Sequence, residues 1–315
     1  MDGWSASQLL AEVLQRYAGE QPLQAAGRYR DYIGWLQAQD REVTEAFWAR
    51  QLAALESPTR LADSFIGTAL AAQPGAVVAH DSLLVNLTAE QTQRLNAFAR
   101  GHKVTLNTLL QAAWLLLLQR YTGQQTLCFG ATVAGRPAEL KGAMQQLGLF
   151  INTLPVIASP RAEQRVGHWL QAVQDSNLAL REHEHTPLFE IQRWAGQGAQ
   201  ALFDSILVFE NYPVSQALAE ASPAGLHFEL LANHEQTNYP LVLAVNLGQT
   251  LNLHYSFNLA HFSARAIAQL NRHLLHVLEQ RLRALPGPAL NLEQRRVFMF
   301  AQGQVAVLHL SLIHI

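Results

Sequence analysis

The sequence predicts an α/β fold, a mixed sheet with helices packed on one face, and two observations carry this prediction. Segments with the three-to-four-residue apolar spacing of helices are interspersed with short apolar and β-branched runs. Two of those runs, 241–246 and 251–257, follow each other at hairpin distance, with Gly248 in the connection. Interspersed helices and hairpin-linked strands together indicate a sheet that contains antiparallel pairs.

Helices are predicted where apolar residues recur at helical spacing behind a capping residue. Ser5 and Ser7 can cap the first helix, and Thr88 with Gln91 forms a capping-box pattern. The segment that Thr105 opens is apolar nearly all round, which indicates a buried helix. The predicted helices cover residues 6–17, 29–38, 42–54, 88–101, 105–118, 166–182 and 263–285.

Strands are predicted where short apolar runs are bounded by glycine, proline or polar turns. They cover residues 82–87, 126–129, 149–156, 204–209, 226–231, 241–246 and 251–257. A glycine-rich loop, residues 130–137, follows the second strand. Cys128 lies inside that strand, so we interpret it as a small core residue rather than a nucleophile.

Composition shifts divide the chain into four parts. Residues 1–60 are helical, and residues 61–80 lose periodicity and collect glycine and proline, which indicates a linker. Residues 81–286 form the larger α/β unit. Residues 287–315 end in an uncapped apolar run, which we interpret as an interdomain linker or an aberrant tail, with a short added strand as the alternative.

The charge balance excludes several kinds of partner. Lys and Arg number 22 against 24 Asp and Glu, giving a net charge of −2, so no basic field is available for nucleic acid or an anionic membrane. One cysteine excludes a disulfide framework. The longest apolar run is far shorter than the roughly 20 residues of a membrane span, and no signal-peptide pattern begins the chain, so a cytoplasmic location is expected.

Two histidine-containing segments resemble metal sites, but neither has a complete ligand pattern. Residues 182–185 read Glu-His-Glu-His, yet adjacent side chains point in different directions, so we interpret them as a polar helix end before Pro187. His273 and His276 lie three residues apart on the last helix without a third ligand. No metal site is predicted. Arg136 could bind an anion, but an ion pair with an internal carboxylate is favoured.

Motifs in a fixed order resemble those of a known family. Residues 1–5, Met-Asp-Gly-Trp-Ser, resemble the end of a His-His-x-x-x-Asp-Gly motif, and residues 29–35 resemble a Tyr-x-Asp-Tyr-x-x-Trp helix. Residues 129–137 are similar to a Phe-Gly-x-x-x-x-Gly-Arg-Pro loop, and residues 148–155 to a Gly-x-Phe-x-Asn-Thr-x-Pro strand. The chain therefore resembles the condensation domains of non-ribosomal peptide synthetases, in the chloramphenicol-acetyltransferase-like superfamily. Further matching segments are 202–213 and 237–241.

The resemblance implies a fold of two lobes, each like a chloramphenicol acetyltransferase monomer, with a tunnel between them. Residues 81–286 would form one complete C-terminal lobe, and residues 1–60 would be remnant helices of the N-terminal lobe. The family reaction is amide formation between a carrier-bound acyl or peptidyl thioester and a carrier-bound aminoacyl acceptor, here of the L-donor, L-acceptor type. The implied partners are the upstream and downstream peptidyl carrier proteins and an adjacent adenylation domain. No cofactor would bind directly, because phosphopantetheine arms of the carriers bring the substrates.

The resemblance also assigns site residues. Both motif histidines would precede Met1, which leaves Asp2 and Gly3 in a structural role, with Arg136 as the expected ion-pair partner of Asp2. Asn152 and Asn211 are carried over as polar groups at strand ends, which either face the tunnel or only complete strand-end hydrogen bonds. The chain alone is expected to be inactive. The alternatives are a non-catalytic carrier-protein-binding module and a coenzyme A-dependent acyltransferase.

Overall fold

A six-stranded mixed sheet forms the centre of the fold. The computed structural model describes residues 1–19, 27–65, 79–196, 200–210, 237–282, 299–301 and 304–306. The sheet order is β1-β6-β5-β4-β2-β3, in which the β2–β4 and β4–β5 pairs are parallel and the other pairs are antiparallel. The strands are β1 His80–Asn86, β2 Leu127–Val133, β3 Asn152–Ala158, β4 Ser205–Glu210, β5 Leu241–Leu247 and β6 Leu251–Asn258.

Helices cover the sheet, and the apolar helix predicted from residue 105 is α5, which is buried along most of its length. Every residue from Thr108 to Leu118 is buried, as a helix that is apolar nearly all round requires. Strands β5 and β6 bury alternate residues, as expected of strands that carry helices on one face. The helices are α1 Gly3–Tyr17, α2 Tyr29–Gln37, α3 Arg41–Leu52, α4 Ala89–Gly101, α5 Leu106–Thr122, α6 Val166–Arg181, α7 Leu188–Trp194 and α8 Ala264–Leu282.

A polar contact joins the start of α5 to α6. The hydroxyl of the buried Thr108 donates to the side-chain oxygen of Gln174 on α6 at 2.7 Å. Thr105 caps α5, since its side chain accepts from the backbone N–H of Thr108 at 3.1 Å. The first turn of α5 is therefore held by hydrogen bonds, and the following turns are held by apolar packing.

The helix α3 and the segment after it belong to the same hydrophobic core as the sheet. Trp48 is fully buried and donates from Nε1 to Thr186 Oγ1 at 3.0 Å. Residues 61–65 fall in the segment predicted as a linker, but Leu61 is fully buried and a 3₁₀ turn, Ala62–Phe65, packs Phe65 into the core. Leu61 and Phe65 are isolated apolar residues in a short turn and form no repeating pattern, so the sequence alone does not predict that this segment is buried.

Several element boundaries differ from the predicted ones. The strand β2 continues through residues 130–133, predicted as loop, since they pair with β3 and, in part, with β4. The strand β3 begins at Asn152 rather than at residue 149. The helix α7 has no counterpart in the prediction, which treats Pro187 as a stop, whereas Pro187 stands at the N-cap of this helix. The predicted strand 226–231 lies outside the described residues.

Cys128 is fully buried in β2, and burial raises the pKa of its thiol, in keeping with a core residue. Near the C-terminus, β7 Met299–Ala301 and β8 Gln304–Ala306 pair as short antiparallel strands. Within the described residues, no helix is long and apolar enough to cross a membrane.

Candidate functional site

Asp2 occupies the N-cap of α1, and its side chain is buried. Oδ1 accepts a hydrogen bond from the backbone N–H of Ser5 at 2.8 Å, and Oδ2 accepts one from the N–H of Phe150 at 3.0 Å. Its own backbone N–H donates to the carbonyl of Gly148 at 3.0 Å. The carboxylate therefore caps a helix and, at the same time, fastens it to the segment before β3.

Arg136 meets Asp2 from the loop that follows β2. Its Nη2 lies 3.2 Å from Asp2 Oδ1 and donates to Ser5 Oγ at 2.9 Å. Its Nη1 donates to the carbonyls of Ala143 and Gln146 at 2.6 and 2.8 Å. The side chains of Arg136 and Asp2 are 2% and 0% exposed, so the charges are paired where water does not screen them.

The aromatic ring of Phe150 packs against the guanidinium of this ion pair. The Arg136 Cζ lies 4.0 Å from the ring centroid, a cation–π distance. The ring also contacts Tyr32 at 4.5 Å and Tyr29 at 5.2 Å, measured between centroids. The tyrosines belong to α2, so the helix predicted to carry the Tyr-x-Asp-Tyr pattern is packed against the ion pair through Phe150.

Gly135 allows the loop to approach Phe150 this closely. Its φ is +61°, a left-handed conformation, and an added Cβ would lie 1.8 Å from the Phe150 carbonyl oxygen. Any side chain at this position would both strain the backbone and push away the segment before β3. The position immediately before Arg136 therefore accepts only glycine.

Opposing effects set the charge of Asp2. Burial by itself raises the pKa of the carboxyl, whereas hydrogen bonds from Ser5 and Phe150 and the charge of Arg136 lower it. The lowering effects together outweigh burial, so the pKa lies below the ordinary value of 3.8. The carboxylate is therefore ionised at neutral pH and forms a charged pair with the guanidinium.

A cavity of about 830 Å³ lies beside the ion pair, and Arg136 forms part of its wall. The end of β2 and the following loop form one side, and the first turns of α5 form another. The last turns of α6 and the residues after it complete the wall, with Trp35 and Gln39 contributed by the end of α2 and the residues after it. The Asp2–Arg136 pair thus fixes the position of a loop that shapes a cavity large enough for a small ligand.

Asn152 has a role in anchoring the turn after α6. Its Nδ2 donates to the carbonyls of Glu184 and Thr186 at 3.0 and 2.6 Å, and its Oδ1 accepts from the N–H of Thr153 at 2.9 Å. Both polar atoms of the amide group are therefore hydrogen-bonded to backbone groups. Asn211 lies outside the described residues.

The turn that Asn152 anchors carries the acidic and histidine residues at 182–185. The Glu184 side chain lines the cavity, and burial raises the pKa of its carboxyl. His183 stacks on Phe47 at 4.0 Å between ring centroids, and His185 meets the edge of Trp35 at 5.5 Å. Burial lowers the pKa of both imidazoles. Among the described residues, no group of three or more metal-ligating side chains is brought together.

Sequence reasoning missed two residues of this region. Ser5 is predicted only as a helix cap, but its hydroxyl accepts from Arg136 and donates to the Gly148 carbonyl at 3.0 Å. Gln111 falls within a helix predicted as apolar, yet it is buried and lines the cavity. The sequence does contain a signal for Gln111, which is a polar side chain within an otherwise apolar segment.

Gly3 begins α1 and brings no side chain to the site.

Comparison with known proteins relates most of the chain to one family. A family model described as Condensation domain matches residues 1–293. A linear gramicidin synthase protein of Brevibacillus parabrevis is 37% identical over 301 residues, which is 94% of this chain and 6% of that protein. Chondramide synthase of Chondromyces crocatus is 37% identical over 273 residues, which is 85% of this chain and 7% of that protein. The chain thus spans a small part of the length of these curated relatives.

Solved structures show the same fold at lower sequence identity. A four-domain nonribosomal peptide synthetase bound to AMP and glycine matches 94% of this chain and 23% of its own, with a TM-score of 0.75 and 17% identity. The first condensation domain of the calcium-dependent antibiotic synthetase, in complex with a substrate analogue, matches 98% of this chain and 65% of its own, with a TM-score of 0.70 and 17% identity. At these identities the likeness establishes the fold.

Proposed function

Since the chain belongs to the condensation-domain family, we propose that it forms part of the machinery that joins two carrier-bound substrates through an amide bond. In that reaction the acceptor amine attacks the thioester carbonyl of the donor. A C–N bond forms, the C–S bond breaks, and the amine proton passes to the departing thiolate. Holding both reactants in one geometry lowers the barrier to such a step, and the cavity of about 830 Å³ beside Arg136 supports this proposal because it offers room for reacting groups.

We propose a division of the chain into two lobes, as the family membership implies. Residues 81–286 would form the C-terminal lobe, residues 1–60 part of the N-terminal lobe, and residues 287–315 a linker beyond them. This division follows position in the chain, since Trp48 of α3 and Phe65 pack into the same hydrophobic core as the sheet. In this arrangement the Asp2–Arg136 pair would join the start of the N-terminal segment to the C-terminal lobe.

The proposed role of the Asp2–Arg136 pair is to hold the start of α1 against the cavity wall. It is supported by the contacts that converge on the two side chains, which tie α1 to the loop after β2 and to the segment before β3. No two histidines are adjacent in the 315 residues, so the histidine pair of the His-His-x-x-x-Asp-Gly motif is not part of this sequence. We therefore propose that this chain by itself binds substrates without joining them.

The proposed partners are peptidyl carrier proteins that deliver substrates on phosphopantetheine arms, together with an adjacent adenylation domain. The likeness to a four-domain synthetase supports this proposal. A cytoplasmic location and an L-donor, L-acceptor preference are part of the same proposal. The chain itself would need no directly bound cofactor, because the carriers supply the reactive thioesters.

Titration calorimetry with a carrier protein tests the proposal. We expect the 315-residue chain to bind a holo-carrier, which has the phosphopantetheine arm, more tightly than the matching apo-carrier. Equal affinity for both forms, or no binding at high concentration, would count against it. Amide formation from two loaded carriers should be absent, and turnover by this chain would contradict the inactive assignment.

A further inference from the structure

Gln111 is a buried polar residue with an unused hydrogen-bond acceptor. It lies in α5, it is 4% exposed, and it forms part of the cavity wall. Its Nε2 donates to Asn107 Oδ1 at 3.3 Å, but its Oε1 has no hydrogen-bond partner among the described residues. Buried acceptors are usually hydrogen-bonded in folded proteins, so this oxygen is available to a donor on a molecule that enters the cavity.

The polar residues around Gln111 are bonded to one another. The backbone N–H of Thr105 and the hydroxyl of Thr108 both donate to Gln174 Oε1, at 3.1 and 2.7 Å. Asn177 Nδ2 reaches Thr108 Oγ1 at 3.4 Å. Among the described residues that line the cavity, only Gln111 has a buried side-chain polar atom without a partner.

The charges of the cavity wall indicate which kind of donor would enter. Three carboxylate residues, Glu139, Glu182 and Glu184, line the cavity together with Arg136 and Arg181. Arg136 is engaged by Asp2 and by two backbone carbonyls. The excess of carboxylates disfavours an anionic group near Gln111 and favours a neutral or positively charged donor.

We propose that Gln111 is a substrate-binding residue whose amide oxygen accepts a hydrogen bond from an N–H group, an amide or an ammonium, of a molecule in the cavity. This inference rests on the proposed function, in which such N–H groups come from two sources. One source is the amine or amide of the aminoacyl substrate itself. The other is an amide of the phosphopantetheine arm.

Two small probes distinguish the sources. Titration of the 315-residue chain with pantetheine reports on the arm, and titration with L-alaninamide reports on the substrate. Replacing Gln111 by leucine removes the acceptor at similar size, and we expect the affinity for at least one probe to fall about tenfold, or about 1.4 kcal/mol. A glutamate at this position keeps an acceptor, so the Gln111→Glu variant should retain binding. A loss confined to pantetheine identifies the arm as the donor, and a loss confined to L-alaninamide identifies the substrate.

Gln164→Leu is the matched control, since Gln164 lines a separate cavity between β3 and α6. Its affinity for both probes should equal that of the unmodified chain. Thermal unfolding of Gln111→Leu should show little loss of stability, because the change removes an unpaired buried acceptor and, with it, only one long hydrogen bond of 3.3 Å to the Asn107 side chain. Unchanged affinities in the folded Gln111→Leu variant, or no binding of either probe to the unmodified chain, would overturn the inference. Tighter binding of holo-carrier than of apo-carrier would still support the proposed function in that case.

Discussion

The Asp2 carboxylate lies 3.2 Å from the Arg136 guanidinium, although the two residues are 134 positions apart in the chain. Both side chains are buried. Asp2 also accepts a hydrogen bond from the Phe150 N–H, and Arg136 also donates one to the Ala143 carbonyl. The contact therefore holds together three separate segments, the start of α1, the loop after β2 and the residues before β3.

Replacing Arg136 by methionine should destabilise the fold strongly. The change would leave the Asp2 charge buried without its partner, and breaking a buried pair in this way costs about 3–5 kcal/mol. Urea denaturation followed by circular dichroism measures the loss. As a control, Arg16→Met removes an exposed ion pair with Glu12 and should leave the unfolding midpoint unchanged. An Arg136→Met midpoint equal to that of the unmodified chain would contradict the assigned role.

Acid should weaken the fold through Asp2. Because the pKa of this carboxyl in the folded chain lies below its ordinary value of 3.8, its contribution to stability is complete above that value. The contribution is lost as the pH falls through the folded pKa. The difference in stability between the unmodified chain and Asp2→Asn should therefore stay constant from about pH 7 to about pH 5 and shrink below about pH 4. Urea midpoints across this range test the prediction, and a difference that grows toward low pH would refute it.

Gly135→Ala should be among the most damaging single substitutions in the described chain. The new Cβ would meet the Phe150 carbonyl in a residue whose φ is +61°, and a loss of about 4 kcal/mol or a failure to fold is expected. Gly123→Ala separates the two causes, since Gly123 has a φ of +71° with no atom near an added Cβ. Strain alone should cost about 1–2 kcal/mol there. Equal losses in the two variants would show that contact with Phe150 adds nothing.

Asn152→Leu should loosen the turn at residues 182–186. It removes the donors to the Glu184 and Thr186 carbonyls, and we expect a loss of about 1–3 kcal/mol. Hydrogen exchange should become faster at the backbone amides of His183 and Thr186. Asn96→Leu is the comparison, because the Asn96 side chain bonds to Thr92 within its own helix. Protection of the turn that is unchanged in Asn152→Leu would contradict the anchoring role.

Local patterns predicted much of this fold. The capping box at Thr88 and Gln91 is present as predicted, because the contacts that define it lie within one turn of the chain. The paired strands β5 and β6 were also predicted, because two short apolar runs follow each other at hairpin distance with Gly248 in the connection. The packing of residues 61–65 was not, because it depends on Asp204, whose carboxylate accepts from the N–H groups of Leu61 and Ala62.

The candidate site was predictable only in part. The resemblance indicated that Asp2 and Arg136 would meet, but the residues that complete the contact come from distant segments with no pattern of their own. Ser5 and Gln111 illustrate this limit. The Ser5 hydroxyl meets Arg136, and the Gln111 Oε1 is left without a partner among the described residues, only because of how the helices pack in three dimensions.

The sheet order has a consequence for how the chain folds. The parallel β2–β4 pair joins residues about 76 positions apart at Gly130 and Ile206, while β5 and β6 are neighbours in sequence and meet across a short turn. Loop-closure entropy favours the hairpin first, the β2–β4 pair later and the β1–β6 pair last, because β1–β6 joins His80 to Asn258, about 178 positions apart. The edge strand β1 would then be the last to join the sheet, and until it does so the newly made chain exposes the unpaired backbone groups of β6.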